Sequence, residues 1–204
     1  VDDPRPQDGG AAQQADAGLA RMLELHGRDE VPPLDAQGDG CSPIRAYAHA
    51  DHVGYVSMLH PDIPIISSAK SALIAKATQD GGQNRLDGQT VFLQPRKASG
   101  SILVTDPTIP VKQRQWRITD EEAWTPDAST YWAQRYAKAR TTHTTHDVLP
   151  AERVMDGHEI RTYPTDHSIP GTIGFAVETS AGWVGYTGDI RIHGRQSNTT
   201  LDFA

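Results

Sequence analysis

The chain has 204 residues and a formal net charge of −7, with 37% hydrophobic and 22% charged residues. These values fit one globular domain with its own core, and they exclude a chain that is disordered throughout. The acidic balance disfavours a surface devoted to nucleic-acid phosphates, although a local basic patch or bound divalent ions reverse the local field where they occur.

Cysteine usage and hydropathy limit the compartment and the kind of metal site. The single Cys41 excludes an internal disulfide and a cysteine-based zinc site, so any metal must bind to histidine and carboxylate side chains. The chain contains no run of about eighteen apolar residues, and its first residues are acidic where a secretion signal is basic and then apolar. We therefore expect a cytoplasmic protein with no membrane partner.

In chain order, we predict a polar tail with a short amphipathic helix over residues 1–43 and a folded domain over residues 44–204. Strand-like and helix-like segments alternate from residue 44, which favours a layered α/β fold. Strands are predicted at 44–48, 63–67, 91–95 and 101–105, and a short helical segment at 53–60. A helix with a serine cap and a glycine end is predicted at 67–82, and a second helix, capped by Asp127 or Ser129, at 127–140. Residues 114–124 fit either a strand or a helix.

The clearest β pattern lies in the last third of the chain. Asp156-Gly157 is a strong hairpin dipeptide between two alternating segments of residues 152–167. Two further alternating strands surround the turn Ser180-Ala181-Gly182 in residues 174–189. No element is predicted in the polar residues that follow.

Histidine and aspartate side chains cluster where predicted strands end. The first cluster is AYAHADH, with His49, Asp51 and His52, and the others are Asp166-His167 and Asp189. Zinc needs imidazole nitrogens and carboxylate oxygens that converge to about 2.0–2.2 Å, and strand ends present such groups well. The alternative for the first cluster is a polar helix start in which Asp51 is the cap.

Three short strings carry a family resemblance. HADH followed by VGY, then HSIPG, then YTGD followed by IR, with a hairpin between the last two, closely resemble the metallo-β-lactamase fold and specifically β-CASP nucleases of the ribonuclease J type. The resemblance covers roughly residues 44–195. It implies an α/β fold of the αββα sandwich type, with two mixed sheets facing each other, helices outside, and a metal centre at one edge of the sheets.

The resemblance also implies ligands and a reaction. His49 and His167 match the family's first metal site, Asp51 and His52 match the second, and Asp189 matches the carboxylate that bridges both. The implied cofactor is one or two zinc ions, with manganese as the alternative. The implied reaction is hydrolysis of an RNA phosphodiester by a metal-bound hydroxide. In that reaction Asp51 also orients or deprotonates the attacking water. His193 and Ser168, which flank the site in the sequence, are candidates for contact with the substrate or for support of the site.

The chain also departs from the family pattern. Tyr47 stands where the family has the first histidine of its motif, and a phenol is a poor zinc ligand at neutral pH. The sandwich is expected to be incomplete at the N-terminus and to lack the β-CASP insert. Homo-oligomerisation or missing chain segments would then supply what is absent. The alternative function is a non-catalytic scaffold or interaction domain that retains the fold. Hydrolysis of a small thioester, lactone or β-lactam is disfavoured, because HSIPG resembles the nuclease branch of the family.

Overall fold

The computed structural model describes residues 53–54, 56–83, 85–136, 138–139, 145–155 and 157–203. Within them the strands are β1 Ile65–Ser67, β2 Phe92–Leu93, β3 Arg96–Ser99, β4 Ile102–Thr105, β5 Lys112–Gln113, β6 Trp116–Ile118, β7 Leu149–Pro150, β8 Val154–Met155, β9 His158–Pro164, β10 Ile173–Thr179 and β11 Gly182–Tyr186. The helices there are α1 Ala69–Gly81, α2 Pro126–Trp132 and α3 Ser197–Phe203, with 3-10 turns at Val56–Met58, Leu86–Gly88 and Glu121–Ala123. The predicted tail, first helix and strand at 44–48 lie outside the described residues.

A small parallel sheet forms the centre of the core. Its strand order is β1-β6-β7, with Ile65 opposite Trp116 and Arg117 opposite Leu149. Ile65 and Ile66 are both almost completely buried. Burial of consecutive residues is typical of a parallel strand that is covered on both faces. The strand predicted at 63–67 is therefore confirmed.

Helix α1 covers this sheet and lies against β6. Ser68 caps it, since the Ser68 Oγ accepts a hydrogen bond from Ser71 N at 3.2 Å, and Gly82 N donates to Thr78 O where the helix ends. Ala72 and Ala75 are buried along its inner face. Small side chains there allow the helix backbone to approach the sheet closely. The helix predicted at 67–82 is confirmed, and so are its serine cap and glycine end.

The antiparallel sheet has the strand order β11-β10-β9-β8. Met155 pairs with His158 across the predicted Asp-Gly hairpin, and Val177 pairs with Val184 across the second predicted turn. Gly157 has a φ of 80°, the left-handed conformation that this hairpin dipeptide supplies. Both predicted hairpins are confirmed. All five residues of the outer strand β11 are exposed.

Arg114 is a buried cation whose guanidinium binds backbone carbonyl groups. Its side chain is 0% exposed, and its guanidinium donates to four carbonyl oxygens at 2.6–3.1 Å. These acceptors are the carbonyls of Val56, Leu59, His60 and Ile63. One planar fork with five donors thus fixes the irregular segment 56–63 against the core.

The helix predicted at 127–140 is wrong in its length and its cap. It spans Pro126–Trp132, and Thr125 is the cap, with its Oγ1 accepting from Ala128 N at 3.2 Å. Beyond Trp132 the chain turns, because Tyr136 is fully buried and stacks on Phe92 with 5.1 Å between ring centroids. Burial of that ring outweighs the helical preference of the residues around it.

The architecture confirms the α/β class. Residues 114–124, which fitted either pattern, contain strand β6 and then a 3-10 turn, and the polar C-terminal stretch contains the unpredicted helix α3. A cavity of about 400 Å³ lies between the parallel sheet and β9, with Ile66, Ile118 and Ile160 in its walls. Among the described helices none is long and apolar enough to cross a membrane.

Candidate metal centre

His167 is placed by the loop that joins β9 to β10. The base of this loop is closed by two hydrogen bonds, from Thr165 N to Thr172 O at 3.0 Å and from Thr172 Oγ1 to Thr165 O at 2.6 Å. Both threonines are buried. The loop is therefore anchored on each side of His167, whose side chain is 16% exposed.

Asp189 follows the end of β11. Strands β9 and β11 both pair antiparallel with β10, so they run parallel to each other and end at the same edge of the sheet. This topology brings His167 Nε2 to 4.0 Å from Asp189 Oδ2. The Asp189 side chain is 59% exposed, so the pair lies at an open edge. The two side chains are together as expected, and their role as ligands stays a prediction.

Asp166, the neighbour of His167, is buried and contacts the segment that follows Asp189. Its carbonyl oxygen accepts from Arg191 N at 2.7 Å, and its backbone N–H donates to Thr200 Oγ1 at 2.8 Å. Its carboxylate accepts from Gln196 N at 3.3 Å. Asp166 thus connects the β9–β10 loop with residues 191–200, which follow Asp189 in the chain.

The other end of the HSIPG loop is attached to the start of α1. Ser68 Oγ and Ser71 Oγ both donate to the Gly171 carbonyl, at 2.5 and 2.9 Å. Gly171 has a φ of 92°, and a Cβ there would lie 2.7 Å from Lys70 Cβ. Only glycine satisfies both the backbone angle and this close approach. The two sheets therefore share a junction beside His167.

Asp120 follows β6 and adds a carboxylate to the same junction. Its Oδ1 accepts from Ala69 N, in the first turn of α1, at 2.6 Å. Burial raises the pKa of this carboxyl above its ordinary value of 3.8, and the Ala69 N–H bond opposes that rise. Desolvation therefore outweighs the favourable interaction with the helix start.

The pH dependence of stability should report this raised pKa. A raised folded-state pKa gives stability that is present below the unfolded value and is lost as the pH rises through the folded value. We expect Asp120→Asn, which keeps the acceptor for Ala69 N but does not titrate, to remove that loss above about pH 4. Urea unfolding of both proteins across the acid range measures it. Identical profiles would contradict a raised pKa for Asp120.

The remaining predicted site residues lie either outside the described residues or in exposed loops. His49, Asp51, His52 and Tyr47 lie outside the described residues. His193 and Ser168 are exposed in loops, His193 after Asp189 and Ser168 directly after His167. Within the described part of the chain no group of three or more metal-binding side chains is brought together. An imidazole and a carboxylate at the sheet edge nevertheless match the donor types that zinc and manganese accept.

The sequence placed Asp166 with His167 among the candidate metal-binding side chains and assigned no role to Gly171, Gly194 or Asp120, although each of the four makes a contact that joins distant parts of the chain. The glycine of HSIPG was the available signal, because a glycine at a loop end often marks a positive φ or a close backbone approach. The other three act through contacts with residues far along the chain. No local pattern in the sequence shows such contacts.

The sequence matches no known family profile and no curated protein. Among solved structures it is similar to a protein of unknown function from Enterococcus faecalis V583, with a TM-score of 0.49 and 15% sequence identity. The alignment covers 90% of this chain and 32% of that one. The chain thus spans about a third of that protein's length, and the likeness assigns neither a family nor a function.

Proposed function

We propose that this chain is a metal-dependent hydrolase domain, related to ribonuclease J, that cleaves RNA phosphodiester bonds with zinc or manganese. The observation that carries the proposal is the approach of His167 Nε2 to Asp189 Oδ2, 4.0 Å apart at the common edge of β9 and β11. The family resemblance assigns these same two positions to the metal centre. Two residues more than twenty positions apart in the chain thus lie side by side.

The geometry of this pair suits a shared ion. Each ligand atom lies about 2.0–2.2 Å from zinc, so two ligands of one ion are separated by at most about 4.4 Å. The observed distance of 4.0 Å lies within this limit. His167 is largely shielded and Asp189 is open to solvent, which leaves a side from which substrate can approach.

The proposed reaction gives the site residues different roles. His49, Asp51 and His52 complete the ligand set by resemblance, with Asp51 also orienting the attacking water. When bound, a divalent ion would polarise the phosphate and lower the pKa of a bound water toward neutrality. His193, in the exposed loop beyond Asp189, is assigned to the substrate phosphate. Since the net charge of the chain is −7, the positive charge of a bound divalent ion would offset repulsion of an anionic substrate.

An αββα sandwich is the architecture we propose for the domain. It is supported by a parallel sheet and an antiparallel sheet with a cavity between them. It is also supported by the position of α1 against β6 and by the contact of the start of α1 with the Gly171 loop. Gly171, which makes this contact, belongs to the same β9–β10 loop as His167.

Metal stoichiometry tests the proposal directly. Protein purified without chelator should carry one or two zinc or manganese ions per chain by plasma mass spectrometry. Asp189→Ala should lower metal affinity by more than the roughly 10–100-fold that loss of an outer partner costs, because it removes a direct ligand. The matched control is Asp87→Ala, which removes an exposed carboxylate that forms a surface salt bridge with Arg85.

Three outcomes separate the interpretations. Metal that falls in Asp189→Ala and not in Asp87→Ala supports the centre, and manganese-dependent cleavage of a labelled single-stranded RNA should then fall with it. Metal without cleavage favours the second candidate, a non-catalytic scaffold domain, which Tyr47 in the place of a histidine supports. Absence of bound metal from wild-type protein refutes the proposed hydrolase.

A further inference from the structure

Asp166 stands out as a buried carboxylate beside the candidate ligands that the proposed chemistry does not use. It is 7% exposed. It directly precedes His167, and its backbone carbonyl accepts from Arg191 N, two residues beyond Asp189. The backbone bonds of Asp166 therefore connect the chain next to one candidate ligand with the chain next to the other.

The carboxylate of Asp166 adds a contact that depends on its side chain. Its Oδ2 accepts from Gln196 N, at the entrance to α3. Gly194 packs directly on it: a Cβ on Gly194 would lie 1.8 Å from Asp166 Oδ2 and 2.7 Å from its Cγ. No side chain fits at position 194 unless the carboxylate moves. A carboxylate near a helix start is also favoured by the partial positive charge there.

We propose that Asp166 is a positioning residue for the His167–Asp189 pair. Its carboxylate, seated against Gly194 and Gln196, fixes the segment after Asp189 so that the Asp189 side chain lies within reach of the ion that His167 binds. The inference rests on the proposed function for its metal. The contact itself is formed by residues of this chain alone.

The first test is metal affinity. Asp166→Ala removes the acceptor and should weaken zinc binding, measured by competition with a chromogenic chelator, by about 10–100-fold. Asp166→Asn keeps an acceptor of the same shape and should restore most of the affinity. Asp202→Ala, at an exposed position on α3, is the matched control and should bind like wild type. Rescue by asparagine shows that an acceptor of this shape, and not its negative charge, positions the pair.

The second test reads the geometry without metal. In a Cys41→Ser background, His167→Cys and Asp189→Cys together place two thiols at the candidate pair, and a short bifunctional thiol reagent measures their proximity. Adding Asp166→Ala should slow cross-linking several-fold, and adding Asp202→Ala should not. Gly194→Ala, which displaces the carboxylate from the other side, should slow it as Asp166→Ala does and serves if the alanine variant at 166 does not fold.

These readouts fail in different ways. If wild type binds no metal, the proposed hydrolase fails, while slowed cross-linking still supports the positioning role. If Asp166→Ala and Gly194→Ala cross-link as fast as the parent pair, Asp166 does not position Asp189, whatever the metal result. Unchanged zinc affinity in folded Asp166→Ala overturns the inference as well.

Discussion

Arg114→Met should destabilise the fold by about 3–5 kcal/mol. The substitution keeps the apolar length of the side chain but removes every donor. The carbonyls of Val56, Leu59, His60 and Ile63 then lose a partner, and a buried acceptor without a partner costs about 1–3 kcal/mol. Urea unfolding followed by tryptophan fluorescence gives the change in free energy of unfolding.

Two further variants test which property of Arg114 accounts for the loss of stability. Arg114→Lys keeps the charge but lacks the planar fork, so it should recover only part of the loss. Arg85→Met removes an exposed arginine that pairs with Asp87 and should change stability by less than about 1 kcal/mol. A loss of similar size for Arg85→Met and Arg114→Met would contradict the role assigned to the buried guanidinium.

Gly171→Ala should destabilise the protein by about 2–5 kcal/mol and should weaken metal binding at the same time. An alanine must adopt a φ of 92°, and its methyl group would lie 2.8 Å from Ser68 Oγ and 2.7 Å from Lys70 Cβ. Relief of that overlap requires the loop to move away from α1, and His167 lies on the same loop. Thermal unfolding and zinc titration of one sample measure both effects.

Gly182→Ala is the control that separates backbone strain from steric overlap. Gly182 has a φ of 115°, and a Cβ there would meet nothing within 4 Å. This variant carries the dihedral strain of about 1–2 kcal/mol without a clash. The excess loss in Gly171→Ala therefore measures the contact between the HSIPG loop and α1. Equal losses in the two variants would mean that this contact adds nothing.

Local sequence patterns predicted the elements whose causes are local. The ends of α1 follow from Ser68 and the glycines at 81–82, and the hairpin at Gly157 follows from its turn dipeptide. Caps and tight turns are decided by interactions within a few residues. The sequence therefore contains the information that fixes them.

The errors arise where a distant partner decides the structure. Helix α2 ends at Trp132 because Tyr136 is buried on Phe92, more than forty residues earlier in the chain. The packing of the Asp166 carboxylate against Gly194 likewise connects two loops, and no local pattern in the sequence predicts this contact. Tertiary contacts override local preference at such positions.

For the candidate site, the sequence predicted that His167 and Asp189 follow strand ends, and the family resemblance placed the two side chains at one centre. His167 and Asp189 each follow a strand of one sheet, and the intervening β10 makes those two strands parallel. The contacts of Asp120 and Gly171 were beyond prediction, since both residues bind a helix start that is distant in sequence. The other three predicted ligands lie outside the described residues.

The two sheets differ in how the chain must close to form them. β8 to β11 follow one another along the chain and pair mostly through short turns, so closing each pair restricts little conformational freedom. β1 and β6 are separated in the chain by α1 and four strands. Pairing them therefore closes a longer loop and costs more loop-closure entropy. We therefore expect the local meander, which carries both His167 and Asp189, to form before the parallel pairing that brings the start of α1 to Gly171.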